Sequence, residues 1–179
     1  NDRDTTVTHT RNVLYLKPYY ALIIDQLDGS GEHVFDAHFH LDAPTAALKS
    51  DGHYVHSVRN DSVQIGIYAI DKENLQTEII QGQDTPLLGW YPIEHRAIPT
   101  VRFRKKQETP ASFATFLYPY KNVSPMFSTE NIDVRSEYMI WGQRIFTDEE
   151  TAEVVLDKRN NLSAFSFQSV LIGNLDIVG

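Results

Sequence analysis

Hydrophobic and polar side chains alternate along most of the chain, most clearly between residues 33 and 41. In this stretch the odd-numbered positions are largely apolar, whereas Asp36, His38 and His40 occupy even-numbered positions. Successive side chains of a β-strand point to opposite faces, so the alternation predicts a strand with one core face and one polar face. The residues expected to share the inward face are His33, Phe35, Ala37, Phe39 and Leu41.

Similar runs of β-branched and aromatic residues recur between turn-forming segments. They predict further strands at residues 13–17, 20–27, 53–59, 63–70, 75–81, 100–105, 112–118, 137–146, 153–157, 162–167 and 170–178. Residues 148–156 begin like a helix, but we interpret them as a turn leading into a strand. The pattern predicts an all-β fold, an antiparallel two-sheet β-sandwich of about a dozen short strands with little or no helix. We expect one sandwich domain over residues 1–179.

Charge and composition narrow the classes of function. The chain carries 16 Lys and Arg residues against 24 Asp and Glu, and its net charge of −8 argues against nucleic acid as a partner. No apolar run approaches the ~20 residues that a helix needs to cross a bilayer, so no membrane span is expected. The sequence has no cysteine, which excludes disulfides and thiolate chemistry.

Two histidines on the polar face of the 33–41 strand are candidate metal ligands. His38 and His40 share that face with Asp36 and Asp42. Alternate side chains on a strand lie about 6.6 Å apart, so both imidazoles can reach one zinc ion if another element supplies a third ligand. The alternative is an ordinary solvated or interdomain strand face. The His-x-His pair also resembles the cupin metal motif, although the Glu expected after it is missing.

The longest segment without a strand pattern, residues 82–99, is a candidate binding loop. Loops of this length inside compact domains are more often functional than idle. Aromatic side chains with a polar tip commonly contact ligands, and they can stack on sugar rings. We therefore predict substrate binding by the loop residues Trp90, Tyr91, His95 and Arg96. The alternative is that the two aromatic rings close one end of the sandwich.

Two other polar clusters are candidate contacts for an acidic saccharide. His9 and Arg11 precede the first strong strand, and a guanidinium can hold a carboxylate or sulfate in a bidentate manner. We predict that both bind substrate, with exposed edge-strand positions as the alternative. Residues 102–106 form the one basic run in this acidic chain. An acidic saccharide could lie along it, but such charges also protect an exposed edge strand from pairing, which is the interpretation we favour.

The order of strand motifs resembles a known family. Over residues 9–120 the chain is similar to the β-sandwich segment of the heparinase II/III-like polysaccharide lyases. The resemblance is distributed over many strands and does not depend on one signature. The motifs that carry it are, in chain order, His-Thr-Arg-Asn-Val-Leu-Tyr-Leu-Lys-Pro-Tyr-Tyr-Ala-Leu-Ile-Ile-Asp-Gln-Leu (9–27), His33, His-Phe-His-Leu (38–41), Gly-Trp-Tyr (89–91), Pro99 and a run ending in Leu-Tyr-Pro (113–119).

This resemblance implies a larger, periplasmic or secreted enzyme that cleaves uronic-acid-containing polysaccharides by β-elimination. Such an enzyme joins an N-terminal α/α toroid to a C-terminal β-sandwich, and most of its catalytic groups lie on the toroid. The chain would be a fragment of the sandwich, with the toroid as its intramolecular partner and acidic polysaccharide as the ligand of the full-length enzyme. We expect the fragment alone to be inactive and assign it no catalytic residue.

The resemblance also bears on metal binding. Some family members hold a structural zinc through sandwich histidines, but the usual His-Asn element lies upstream of this segment, so a zinc belongs to the full-length parent. Two alternatives stay open. A stand-alone carbohydrate-binding module would bind through Trp90 and Tyr91, and a cupin-like metal-dependent sandwich protein would use His38 and His40.

Overall fold

The computed structural model describes residues 6–16, 20–60, 63–123, 128–131, 139–146 and 151–157. All regular secondary structure within these ranges is β-strand, which confirms the predicted all-β fold. The strands are β1 (Val7–Leu16), β2 (Tyr20–Gly29), β3 (Glu32–His40), β4 (Thr45–Leu48), β5 (Tyr54–Val58), β6 (Val63–Ala69), β7 (Leu75–Ile80), β8 (Gln83–Asp84), β9 (Leu87–Leu88), β10 (Trp90–Tyr91), β11 (Arg96–Ala97), β12 (Thr100–Glu108), β13 (Ala111–Lys121), β14 (Ser128–Asn131), β15 (Met139–Phe146) and β16 (Thr151–Asp157).

Two antiparallel sheets dominate the first part of the chain. One has six strands in the order β1-β2-β13-β6-β5-β4, and the other has three in the order β3-β12-β7. This arrangement confirms the predicted two-sheet sandwich. The pairs β8–β9 and β10–β11 are short hairpins, and β14, β15 and β16 form a separate three-stranded sheet.

The chain divides into two compact units, residues 1–123 and residues 124–179. The six- and three-stranded sheets belong to the first unit, and the β14–β15–β16 sheet belongs to the second. A single domain over residues 1–179 stays a prediction. The strands predicted at 162–167 and 170–178, and the turn predicted to start at 148, lie outside the described residues.

The core lies between the six-stranded and three-stranded sheets, because each sheet can cover its apolar face only with the other. The three-stranded sheet contributes Ala37, Val101 and Phe103, and the six-stranded sheet contributes Val55, Ile67, Ala69 and Phe113. The alternation predicted for β3 is confirmed. Ala37 and Leu41 are buried, and Phe35 and Phe39 pack against them from the same face.

The six-stranded sheet departs from the expectation of one wet and one apolar face. Its central strands β2, β6 and β13 are buried on both faces. The face turned away from the core carries fully buried side chains, namely Leu22, Ile24, Tyr68 and Phe116. Such doubly buried strands read as continuous apolar runs, which explains why the run at residues 20–24 lacks a clean alternation.

The basic run at residues 102–106 does not protect an edge strand, contrary to the interpretation from sequence. It lies on β12, the central strand of its sheet, paired with both β3 and β7. Lys105 follows Val101 and Phe103 on the inward face and is only 1% exposed. Its Nζ lies 2.9 Å from Asp71 Oδ2, which also accepts a hydrogen bond from Ser112 Oγ at 2.7 Å. A buried ammonium thus has a hydrogen-bonded carboxylate partner.

No helix in the part of the chain that the structure describes is long and apolar enough to cross a membrane.

Candidate functional site

The loop between β7 and β12 is built from two tight hairpins, β8–β9 and β10–β11. Gly89 closes its base, because the Gly89 carbonyl accepts hydrogen bonds from the amides of Gly82 and Ile98 at 3.0 and 2.8 Å. Gly89 has a φ of +78°, and a Cβ there would lie 2.8 Å from the Ile80 carbonyl oxygen. Only glycine therefore fits this position without displacing the backbone.

This loop borders a half-open cavity of about 890 Å³ at one end of the sandwich. The wall is mostly apolar and comprises Leu87, Leu88, Trp90, Tyr91, Pro92 and Ile98. The rest of the lining comprises His40, Asp84, His95 and Gly89. A cavity with apolar walls and a few polar groups is the usual form of a small-ligand site. The structure thus brings together Trp90, Tyr91 and His95, all predicted from sequence, and adds His40 from the end of β3.

Trp90 is held in place by its indole nitrogen. Nε1 donates a hydrogen bond to the Gln83 carbonyl at 3.0 Å, which links the second hairpin to the first. The ring is half-buried and stands beside Gly82, where a Cβ would lie 3.6 Å from the ring. One ring edge is therefore fixed to the loop, and the ring contributes to the cavity wall.

His40 is oriented by the neighbouring strand. Its Nδ1 lies 2.8 Å from Oγ1 of Thr100, the residue that pairs with it across β3 and β12. Thr100 is fully buried. Because one ring nitrogen is engaged with this hydroxyl, the other nitrogen, Nε2, is the one left for the cavity.

Arg96 stands beside the cavity and contacts two carboxylates and one aromatic ring. Its Nη2 donates to Asp42 Oδ1 at 2.7 Å, and its Nε donates to Glu94 Oε2 at 3.3 Å. The guanidinium carbon lies 5.5 Å from the centre of the Tyr91 ring, within the range of a cation–π contact. The hydrogen bond from Arg96 holds the pKa of the Asp42 carboxyl below its usual value.

His38 lies apart from the cavity wall, on the solvated face of β3. Burial lowers its pKa below the usual value, and nearby Arg102 acts in the same direction. Asp36, two residues away, is bound in a bidentate manner by Arg104, with distances of 2.7 and 2.6 Å. This hydrogen bonding lowers the pKa of Asp36.

The predicted zinc site gains no third ligand in the described ranges. No group of three or more His, Cys, Asp or Glu side chains that could hold a metal occurs there. His38 and His40 share a strand face, as predicted, but His40 engages Thr100 through Nδ1. Two histidines do not fit a zinc site by themselves, and a metal at this pair stays a prediction.

His9 and Arg11 converge on a target inside the chain. Asp25 Oδ1 lies 2.6 Å from His9 Nε2 and 2.6 Å from Arg11 Nε, and Arg11 Nη2 reaches Oδ2 at 2.9 Å. Asp25 is buried on β2, directly opposite Arg11 on β1. The hydrogen bond to Asp25 raises the pKa of Arg11. Neither His9 nor Arg11 lines the cavity, and a role for them in substrate binding stays a prediction.

The other cations of the basic run are matched by carboxylates on adjacent strands. Arg102 bonds Glu78 on β7, Arg104 bonds Asp36 on β3, and Lys106 lies 3.2 Å from Glu32. This outer face is a ladder of cross-strand ion pairs, the arrangement expected of opposite charges facing each other in a sheet. A saccharide lying along it would compete with carboxylates that are already bound.

Sequence reasoning missed several residues that build the site. Asp84, Leu87, Leu88 and Ile98 line the cavity because of the two small hairpins, which short polar and apolar segments do not reveal. It also missed that Asp42 and Arg96, 54 positions apart, form a pair. Asp25 did leave a signal, since a carboxylate inside the apolar run 20–27 requires a charged partner.

Comparison with known proteins shows which family shares this architecture. The family model "Heparinase II/III-like, C-terminal" matches residues 2–138, which is most of the chain. The chain belongs to the heparinase II/III-like C-terminal family. The match includes the whole of the loop and cavity as well as both sheets of the sandwich. A comparison with curated proteins found no match.

Solved structures similar to this heparinase II/III-like chain share its fold. One is the heparan sulfate lyase HepC from Pedobacter heparinus, with a TM-score of 0.69 and 17% identity over 86% of this chain and 24% of that one. Another is the heparinase III BT4657 gene product, with a TM-score of 0.65 and 15% identity over 88% and 25%. A third, titled heparinase III, has a TM-score of 0.65 and 15% identity over 87% and 24%. This chain thus spans about a quarter of each neighbour.

Proposed function

We propose that this chain is the β-sandwich domain of a polysaccharide lyase that cleaves uronic-acid-containing glycans by β-elimination. An N-terminal α/α toroid carries most of the catalytic groups in this proposal. The sandwich supports the toroid and supplies one wall of the glycan cleft. The longer enzyme acts in the periplasm or after secretion, and the isolated 179-residue chain is inactive.

The cavity at the end of the sandwich is the observation that carries this proposal. It presents two aromatic residues, Trp90 and Tyr91, beside the imidazoles of His40 and His95. Aromatic faces stack on the apolar faces of sugar rings, and imidazoles hydrogen-bond their hydroxyl or carboxylate groups. The family match and the similarity to solved heparan sulfate lyase structures support the same assignment.

The chemistry explains why the sandwich is proposed as a supporting wall. β-Elimination removes the proton alpha to the uronate carboxylate and expels the glycosidic oxygen, which leaves a carbon–carbon double bond. The step needs a base, a group that stabilises the enolate-like charge, and an acid for the leaving oxygen. We assign none of these roles to this chain. Its residues bind and orient the glycan, while the net charge of −8 is offset by cations of the partner domain.

The test compares the isolated chain with the longer enzyme that contains it. Each is incubated with heparan sulfate, hyaluronan and alginate, and the unsaturated uronate product is followed by ultraviolet absorbance. We expect product from the longer enzyme on at least one glycan and none from the 179-residue chain. Product from the isolated chain would refute the division of labour, and an inactive longer enzyme would refute the lyase assignment.

A second candidate, a stand-alone carbohydrate-binding module, is favoured by one observation. The cavity with Trp90 and Tyr91 lies entirely within residues of this chain. Calorimetric titration of the isolated chain with glycan oligosaccharides distinguishes the two functions. A module binds them tightly on its own and loses the heat signal in Trp90→Ala, whereas a domain that depends on the toroid binds them only weakly on its own, so that both proteins give little heat.

A further inference from the structure

Arg96 contacts one lining residue of each of two hollows, although it lines neither. The larger cavity includes its cation–π partner Tyr91 and its neighbour His95. A smaller hollow of about 390 Å³ is lined by its ion-pair partner Asp42 and by Arg59, which donates a hydrogen bond to the backbone carbonyl of Asp42. The Arg96–Asp42 ion pair therefore connects the rims of both hollows.

This ion pair is the most exposed of the arginine–aspartate pairs in the described ranges. The Arg96 side chain is 40% exposed and the Asp42 side chain 74%. Arg11 and Arg104, by contrast, each hold their aspartate through two hydrogen bonds, and those aspartates are far less exposed. An exposed pair with a single hydrogen bond contributes little, because water and salt compete with it. Asp42 can therefore leave Arg96 at small cost.

Two weak contacts to the guanidinium remain when Asp42 departs. The centre of the Tyr91 ring lies 5.5 Å from its carbon, and the exposed Glu94 accepts a hydrogen bond from its Nε at 3.3 Å. A guanidinium has five N–H donors, so a bond to Glu94 leaves donors for another oxyanion when Asp42 departs. Planar oxyanions such as carboxylates fit this fork of donors, and sulfate does so as well.

We propose that Arg96 is the receptor for an anionic group of the glycan, a carboxylate or a sulfate, and that Asp42 is an internal stand-in for that group. In the free protein the Asp42 carboxylate occupies the receptor. On binding, the oxyanion of the ligand replaces Asp42, while the guanidinium keeps its contact with the Tyr91 ring. This inference rests on the proposed function for the class of ligand, an acidic saccharide.

The test measures binding of small probes to the 179-residue chain. The probes are sodium glucuronate and N-acetylglucosamine 6-sulfate, with glucose and N-acetylglucosamine as their neutral counterparts. Binding is followed by nuclear magnetic resonance, through the shift of the Arg96 Nε–H signal and, in proteins that lack Arg96, through the indole N–H signal of Trp90. The variants are Asp42→Asn, Arg96→Gln and Arg96→Lys.

The control variant is Glu108→Gln, which raises the net charge by the same amount as Asp42→Asn. Glu108 ends β12, about 26 Å along the strand from Thr100 at 3.3 Å per residue. Salt screens charges over that distance, since the Debye length is about 8 Å at physiological ionic strength. Tighter anion binding in Asp42→Asn but not in Glu108→Gln would therefore result from the change at Asp42 itself and not from the net charge.

If the ligand oxyanion replaces Asp42, substitutions of the two ion-pair partners should have opposite effects on anion binding. Asp42→Asn should bind at least one anionic probe about two- to fivefold more tightly, the change expected when an exposed ion pair no longer competes. Arg96→Gln should lose the anionic preference, and Arg96→Lys should retain it only in part because it lacks the planar fork. The neutral sugars should not distinguish Asp42→Asn from the natural sequence.

If the ion pair only stabilises the loop, substitution of either partner should change binding in the same direction. Both Asp42→Asn and Arg96→Gln would then loosen the loop and weaken binding. Unchanged or weaker anion binding in Asp42→Asn, or an anionic preference that survives Arg96→Gln, overturns the inference. Because binding is measured without catalysis, a lyase assay that fails refutes the proposed function alone, and a failed exchange test leaves that function standing.

Discussion

Two ion pairs joined to the same stretch of chain differ in their surroundings. The Lys105–Asp71 pair lies inside the sandwich, with both side chains buried or nearly so and Ser112 bonded to the carboxylate. The Arg96–Asp42 pair, nine positions earlier, lies in solvent at the rim of a cavity. A buried charge cannot exchange its partner for water without a large desolvation cost, whereas an exposed one can. The first pair fixes the fold, and the second is available for a ligand.

The largest effect is expected when the buried pair is broken. Asp71→Asn leaves the Lys105 ammonium in the core without a carboxylate, and breaking a buried pair in this way costs about 3–5 kcal/mol. We expect the free energy of unfolding, measured by urea denaturation, to fall by that amount. The matched control is Glu32→Gln, which removes the partner of exposed Lys106 and should cost at most about 1 kcal/mol. Equal losses of unfolding free energy in Asp71→Asn and Glu32→Gln would contradict the proposed difference between the buried and the exposed ion pair.

A smaller effect is expected from the base of the loop. Gly89→Ala combines a positive φ with backbone contacts under 3 Å, so we expect a loss of about 1–3 kcal/mol and a distorted cavity. Gly52→Ala is the control, because Gly52 has a similar φ of +73° but no atom within 4 Å of an added Cβ. Urea denaturation should show the larger loss in Gly89→Ala. A Gly52→Ala loss as large as that of Gly89→Ala would show that the contacts at the loop base are unimportant.

The smallest effect concerns His38 on the solvated sheet face. Because its pKa is lowered in the folded chain, the unfolded chain binds a proton more readily, and folding is penalised as pH falls below about 6.5. Burial is the main cause of the lowered pKa, the charges of Arg102, His40 and Arg104 lower it further, and Asp36 opposes them.

His38→Gln should therefore lose less stability than the natural sequence between pH 7.5 and pH 5.5. Solvent screening keeps the difference below about 0.5 kcal/mol. Thermal unfolding at both pH values measures it, and the two proteins should behave alike at pH 7.5. A larger loss of stability at low pH in His38→Gln than in the natural sequence would contradict the predicted direction of the effect.

The sequence was most informative for β3, which has one solvated face and one core face. Alternation along β3 predicted its inward residues, and absent helical periodicity predicted the all-β class. It was less informative for β2, β6 and β13, because strands buried on both faces lose the alternation. The prediction that β12 is an edge strand was wrong, because a run of charged residues has the same sequence pattern on an edge strand as in a ladder of cross-strand ion pairs. Lys105 occupies an alternate position in the same series as Val101 and Phe103, so all three share one strand face. This pattern was the available signal that the Lys105 side chain is buried.

The candidate site was only partly predictable. Loop length and aromatic content indicated Trp90 and Tyr91, which do line the cavity. The position of His40 beside them depends on the register of β3 against β12, and the Asp42–Arg96 contact joins residues distant in sequence. Such contacts arise from tertiary packing, which local pattern does not encode. His9 and Arg11 show the converse, because their binding chemistry was recognised but their partner, Asp25, is internal.

The most direct test of the account is the kinetic effect of Trp90→Ala in the proposed longer lyase. If the cavity forms a wall of the glycan cleft, kcat/KM for release of unsaturated uronate should fall about tenfold or more. Tyr15→Ala, which removes an exposed ring outside the cavity, should leave kcat/KM within about twofold. A Trp90→Ala enzyme with the kcat/KM of the natural sequence would contradict the claim that this cavity contacts the glycan.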